Sequence, residues 1–200
     1  MKKASFGSDD FEKAYTFKAY NELIESLLKE NKTTGTNQSE AMINYTQMNQ
    51  KRMKRWFKTL KLSDEIKGLN IDGQNQKWLI ITEGWCGDAA HNIPGIEMIA
   101  RQLGIETRYI LRDENPEIID AYLTNGGRSI PKLIAVDKDF NELFTWGPRP
   151  KECQELYLSL KENGSDWNEI LEKIQKWYNT NKSLMLQEEL ALLLKASQAD

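Results

Sequence analysis

An apolar run, Trp78-Leu79-Ile80-Ile81-Thr82, leads within three residues to Cys86, and beyond it Ile93, Ile96, Ile99 and Leu103 recur at helical spacing. A run of 77–82 that is apolar on both parities suits a central strand covered on both faces. Cys86 therefore stands where a strand hands over to a helix. The first N–H groups of a helix lack intrahelical partners, and its dipole presents positive charge there, so a thiolate is favoured over a thiol. On local physics alone, this junction is where a reactive side chain is expected.

Trp85-Cys86-Gly87-Asp88-Ala89-Ala90 resembles the Trp-Cys-Gly-Pro-Cys active site of the thioredoxin superfamily, with Ala89 at the second cysteine position. Pro94 falls where that family kinks its active-site helix. Asp113-Glu114-Asn115-Pro116 is similar to the turn after its next strand. Arg128-Ser129-Ile130-Pro131-Lys132-Leu133-Ile134 resembles the segment that faces the active site with a cis-proline, and Gly147 matches a glycine after the last strand. The resemblance spans roughly residues 75–160. It implies a thioredoxin-like α/β fold, a cis bond before Pro131, and a target groove lined by Trp85, Gly87, Asp88, Ile130, Pro131 and Gly147. It also implies Cys86 as the catalytic nucleophile toward a protein or peptide thiol or disulfide.

Two departures bear on activity. In a dithiol enzyme a second cysteine resolves the mixed disulfide, and Ala89 has no thiol to do so. Release from Cys86 would need an outside thiol such as glutathione as co-substrate, or Cys153. Cys153 is expected to be a small buried apolar residue. The family's buried acid, six residues before the nucleophile, is replaced by Ile80, and Glu83 is expected to be exposed and a poor substitute. Asp88 suits a helix start but opposes a thiolate one turn away. Two functions follow: a monothiol redox protein acting through Cys86, or a thioredoxin-fold binding module that has lost redox cycling.

The remaining pattern frames this core. Residues 1–10 read as a ragged start. Phe17, Tyr20, Ile24, Leu27 and Leu28 form one helical face, and Lys32–Asn37 is a turn. A second helix from Ser39 carries Met42, Tyr45, Met48, Met53, Trp56, Phe57 and Leu60 as a broad apolar stripe. Ser63 caps a short third helix. Residues 11–70 are thus a helical extension. Strands are expected at 105–111, 132–136 and 141–146, with a helix capped by Asn115 and opened by Pro116. After Pro150 come helices with Leu156, Tyr157 and Leu160 inward, then Trp167, Ile170, Leu171, Ile174 and Trp177, then Leu186, Leu190, Leu193 and Leu194. The expectation is one domain over 1–200: a mixed sheet with helices on both faces, and extra helices at both ends, the C-terminal ones over 165–200. Both ends should pack on the core.

Composition limits the alternatives. The 200 residues carry a net charge of −3, so no global field argues for nucleic acid or membrane. Lys51, Arg52, Lys54, Arg55, Lys58 and Lys61 read as the solvated face of the helix that buries Trp56 and Phe57. The two cysteines suit a reducing compartment, and the N-terminus lacks the apolar stretch of a secretory signal, so a cytoplasmic location is expected. His91, the one histidine, is expected at the surface. With two separated cysteines it makes no metal set, so no metal and no resident cofactor are expected. Gly126-Gly127 reads as a turn.

Overall fold

The computed structural model describes residues 2–198. In chain order these form α1 (Ser8–Lys13), α2 (Phe17–Lys29), α3 (Glu40–Thr59), α4 (Asp64–Lys67), β1 (Gln76–Thr82), α5 (Gly87–Leu103), β2 (Glu106–Leu111), α6 (Pro116–Asp120), β3 (Lys132–Asp137), β4 (Glu142–Trp146), α7 (Lys151–Glu162), α8 (Trp167–Asn181) and α9 (Leu184–Ala196). The four strands make one mixed sheet in the order β2-β1-β3-β4. β1 runs parallel to β2 and antiparallel to β3, and β3 pairs antiparallel with β4.

β1 is the centre of the core. Trp78, Leu79, Ile80 and Ile81 alternate between the two faces of the sheet and none is exposed, so both faces are covered. α5 follows β1 and buries Ile93, Ile96 and Ile99. It ends at Gly104, whose φ of 72° is the left-handed conformation that closes a helix at low steric cost. Ser63 and Asp166 cap α4 and α8 by accepting from the backbone N–H three residues on. Asn115 does not cap α6; its side chain donates instead to Leu111 O at 2.8 Å.

The first residues are not ragged. Glu142 N–H donates to Lys2 O at 2.8 Å, and Ala4 N–H donates to Phe140 O at 3.0 Å, beside β4. Tyr15 and Tyr109 exchange backbone hydrogen bonds of 2.9 and 2.8 Å at β2. Residues 2–15 thus cross from one outer strand to the other and cover part of each edge. Unpaired edges invite pairing with other chains. Phe11, midway, is fully buried.

Both terminal extensions pack on the core. Tyr20, Ile24, Met53 and Ile66 from the N-terminal side belong to the same apolar cluster as β1 and α5, as do Leu186, Leu190, Ala191 and Leu194 from α9. The α7–α8 hairpin differs. Cys153, Leu160, Ile170, Ile174 and Tyr178 make a second, smaller cluster of their own. Among the described residues no helix is long and apolar enough to cross a membrane.

Several expected inward faces are corrected. On α3, Ile43, Thr46, Asn49, Met53 and Trp56 are buried, whereas Met48 is exposed and Met42, Tyr45 and Phe57 are half-buried. On α8, Trp167 and Leu171 are exposed and Trp177 is half-buried. Periodicity marks an apolar face, but it does not say what covers that face.

Candidate functional site

The strand-to-helix junction sets the position of Cys86. Its N–H donates to Glu83 O at 3.2 Å, and the residue stands immediately before α5. Sγ accepts from Ala89 N–H at 3.4 Å, and the thiol donates to Ile130 O at 3.3 Å. The Ile130–Pro131 bond is cis, as is Gly147–Pro148. Cys86 is 8% exposed, and both cysteines are free thiols. Burial pushes the Cys86 thiol up to about 12; the Asp88 carboxylate adds to this, and the Ala89 N–H and Arg149 only partly oppose it. The activation expected from the helix start is therefore overturned: desolvation outweighs the dipole when the thiol is this deep.

Asp88 is held by a fork. Arg149 Nε lies 3.0 Å from Oδ1 and Nη2 lies 2.6 Å from Oδ2, with both side chains 14% exposed. Tyr178 Oη donates to Oδ1 at 2.9 Å and accepts from Asn92 Nδ2 at 3.0 Å. Burial nonetheless pushes the Asp88 carboxyl above the ordinary aspartate range, against the pull of Arg149 and Tyr178.

His91 is buried, at 4% exposure, rather than at the surface. Its ring stacks on Tyr178 with centroids 4.1 Å apart and 7° between planes. Trp56 Nε1 donates to Nδ1 at 3.0 Å. An indole N–H can only donate, so Nδ1 is an acceptor and the neutral ring keeps its proton on Nε2. That nitrogen is 3.2 Å from Gln175 Oε1, to which it donates. Burial holds the His91 pKa well below its ordinary value, and Arg52 adds to the effect.

Glu83 also contradicts expectation: it is 1% exposed. Oε1 accepts from Asp113 N–H at 3.0 Å, while the buried Oε2 has no hydrogen-bond partner. Burial pushes its carboxyl above the glutamate range. A buried acid is thus present three residues before Cys86, not six; Ile80 is plain core.

Cys86 opens onto a groove of about 840 Å³, a volume typical of ligand sites. It is lined by residues of α3, of the α7–α8 hairpin and of the 124–130 loop, and by Trp85. Trp85, Cys86, Gly87, Asp88 and Ile130 line it. Pro131 and Gly147 do not; Pro148 lines it instead. A Cβ on Gly147 would meet Pro131 O at 2.2 Å, so Gly147 serves to let the backbone pass behind Pro131. Cys153 is fully buried, and the same burial pushes its thiol up to about 12.

Arg52, Trp56, Arg149, Gln175 and Tyr178 were not found from the sequence as site residues. Arg52 was assigned to a solvated face; it is half-buried and lines the groove, whereas the other cations of that run are exposed. One signal was available: Asp88, His91 and Asn92 at i, i+3 and i+4 share a helix face. Their partners lie far away in sequence and carry no local mark. Among the described residues no group of His, Cys, Asp and Glu is arranged to hold a metal.

The comparisons with known proteins agree with this geometry. No curated protein matches the chain. The crystal structure of an HIV epitope-scaffold is similar at 15% identity and TM-score 0.59, over 95% of this chain and 98% of that one. So is the crystal structure of a protein of unknown function from Pseudomonas aeruginosa, at 14% identity and TM-score 0.54, over 94% and 92%. At such identities the likeness is one of fold. A family model described as thioredoxin matches residues 35–168, which takes in α3, the whole sheet and α7. With Cys86 between β1 and α5 and the Ile130–Pro131 segment against it, the chain belongs to the thioredoxin family.

Proposed function

We propose that the protein is a thioredoxin-fold binding protein whose groove takes a ligand over Cys86 and whose thiol stays neutral. The observation that supports this most is the state of that thiol. It is buried, it donates to Ile130 O, it faces the Asp88 carboxylate, and it has no second sulfur one turn on. The first three oppose the thiolate that exchange requires, and the last leaves a mixed disulfide without an internal resolving thiol. The groove beside Cys86, about 840 Å³, supports the binding reading.

A second reading, monothiol exchange with glutathione as co-substrate, has one observation in its favour. Cys86 Sγ lines the groove and accepts the Ala89 N–H, the contact a thiolate would strengthen. Alkylation by iodoacetamide across pH, together with glutathione-dependent reduction of a small disulfide, separates the two. The binding reading expects no turnover and negligible labelling at pH 7. Turnover that disappears in Cys86→Ser would establish the exchange reading instead.

A further inference from the structure

We propose that the groove binds an amphipathic anion, a carboxylate on an apolar body, and that Arg52 is its anchor. This rests on the groove being a binding site, as argued above. The argument starts from charge. Arg52, Arg112, Arg128, Arg149 and Lys161 line the groove against only Asp88 and Glu172. Three of these cations are already paired: Arg149 with Asp88, Arg128 with Asp120, and Arg112 with Asp113. Lys161 is exposed to water and lies over the Tyr157 ring, 5.7 Å from its centroid.

Arg52 is different. Nη1 donates to Asn49 Oδ1 at 2.6 Å, and Nη2 to Gln175 Oε1 and to Met48 Sδ at 3.6 Å. All three acceptors are neutral, and among the described residues Arg52 forms no ion pair. Asp88, the nearby carboxylate, is engaged by Arg149 and Tyr178. Burial lowers the Arg52 pKa, Arg55 adds to this, and the Asp88 carboxylate only partly opposes it, so the charge is held at a cost. The guanidinium stands over the start of α5, since a Cβ on Gly87 would lie 3.6 Å from Nη1. A guanidinium offers five donors that fit a carboxylate.

The rim supplies the other half of the ligand. Met48, Leu158, Trp167 and Leu171 all line the groove, and all four are large apolar side chains left in water, Trp167 at 55% exposure. Exposed large apolar side chains gathered around one groove are a feature of binding sites. A cation with no ion pair of its own, in a groove that also carries exposed apolar side chains, fits neither a neutral lipid nor a polyanion. It fits a single charge with an apolar tail, whether a free organic acid or the C-terminus of a peptide ending in apolar residues.

The test uses a matched pair of fluorescent probes, anilinonaphthalene sulfonate and the uncharged N-phenylnaphthylamine, titrated into the full chain. The sulfonate is expected to bind at least about tenfold more tightly, a factor that corresponds to about 1.4 kcal/mol. Arg52→Gln should bring the anionic probe down to the affinity of the neutral one. Met48→Glu, a change at an exposed position, should do the same by supplying Arg52 with a carboxylate, so the test survives a folding defect in Arg52→Gln. Both substitutions should abolish the preference for the anionic probe, Met48→Glu also weakening the neutral probe through its lost apolar contact, whereas Trp167→Ala should weaken both probes and keep the preference. Displacement by dodecanoate would identify a free acid, and displacement by a peptide with a free but not an amidated apolar C-terminus would identify a chain end. Displacement by neither overturns the carboxylate assignment. Equal binding of the two probes, weakened alike by Trp167→Ala, overturns the anion and leaves the groove. Failure of both probes to bind overturns the anion and the groove together.

Discussion

Two physical effects compete at Cys86: the helix start favours a thiolate, and burial beside Asp88 disfavours it. With the thiol at about 12, only about one molecule in 10⁵ carries a thiolate at pH 7. Asp88→Asn removes the carboxylate and leaves Arg149 without its anion, so both changes lower the Cys86 pKa. Alkylation at pH 8 is expected to accelerate at least about tenfold, the effect of one pKa unit, in protein whose fold is verified by circular dichroism. An unchanged rate would mean that burial alone controls the thiol. Gly147 supports the site from behind, at φ 115° and with no room for a side chain. Gly147→Ala is expected to cost about 2–4 kcal/mol from overpacking and backbone strain, read by urea unfolding. A cost below about 1 kcal/mol would show that the backbone behind Pro131 yields easily.

At the scale of elements, the α7–α8 hairpin is joined to α3 and α5 through polar contacts centred on His91, Tyr178 and Asp88. His91 makes this junction sensitive to acid. Its folded pKa lies well below the ordinary value, because burial and Arg52 disfavour the charged ring. A lowered histidine pKa means that the unfolded chain binds the extra proton. The contribution is therefore fully present above the unfolded value of about 6.5 and is lost as pH falls below it, by up to about 1.4 kcal/mol per pH unit. Asp88 and Glu83 have raised pKa values and act with the opposite sign, so the difference between wild type and His91→Gln isolates the effect. Wild-type stability should fall more steeply between pH 6.5 and 5 than that of His91→Gln. Parallel pH profiles in chemical denaturation would mean that His91 keeps an ordinary pKa.

For the whole molecule, the helices outside the sheet complete the core. Leu186, Leu190 and Leu194 of α9 are fully buried, and Gly95 of α5 is small where Leu186 packs: a Cβ there would be 2.6 Å from Cδ2. At about 1.5–3 kcal/mol for each buried leucine, α9 contributes about 5–9 kcal/mol, comparable with the net stability of a domain, about 5–15 kcal/mol. A chain ending at Lys182 is expected to lose its cooperative thermal transition. A melt within a few degrees of the full-length protein would show that the core closes without α9.

Local pattern was enough for the elements and for the place of the nucleophile. The apolar run of β1, the helical spacing after Cys86 and Gly104 as a helix stop are all short-range signals, because they reflect steric rules within a few residues. Cys86 was legible for that reason, whereas Trp85, Asp88 and Ile130 were implied by the resemblance to the thioredoxin superfamily. The chemistry of the site was decided by tertiary structure. A pKa depends on burial and on charges from distant parts of the chain: Arg149 and Tyr178 reach Asp88, and Trp56 and Gln175 reach His91. The same holds for Arg52, one of six cations in a run that sequence treats alike. Only the packing of α8 opposite α3 separates it from its solvated neighbours, because desolvation is a property of place and not of residue type.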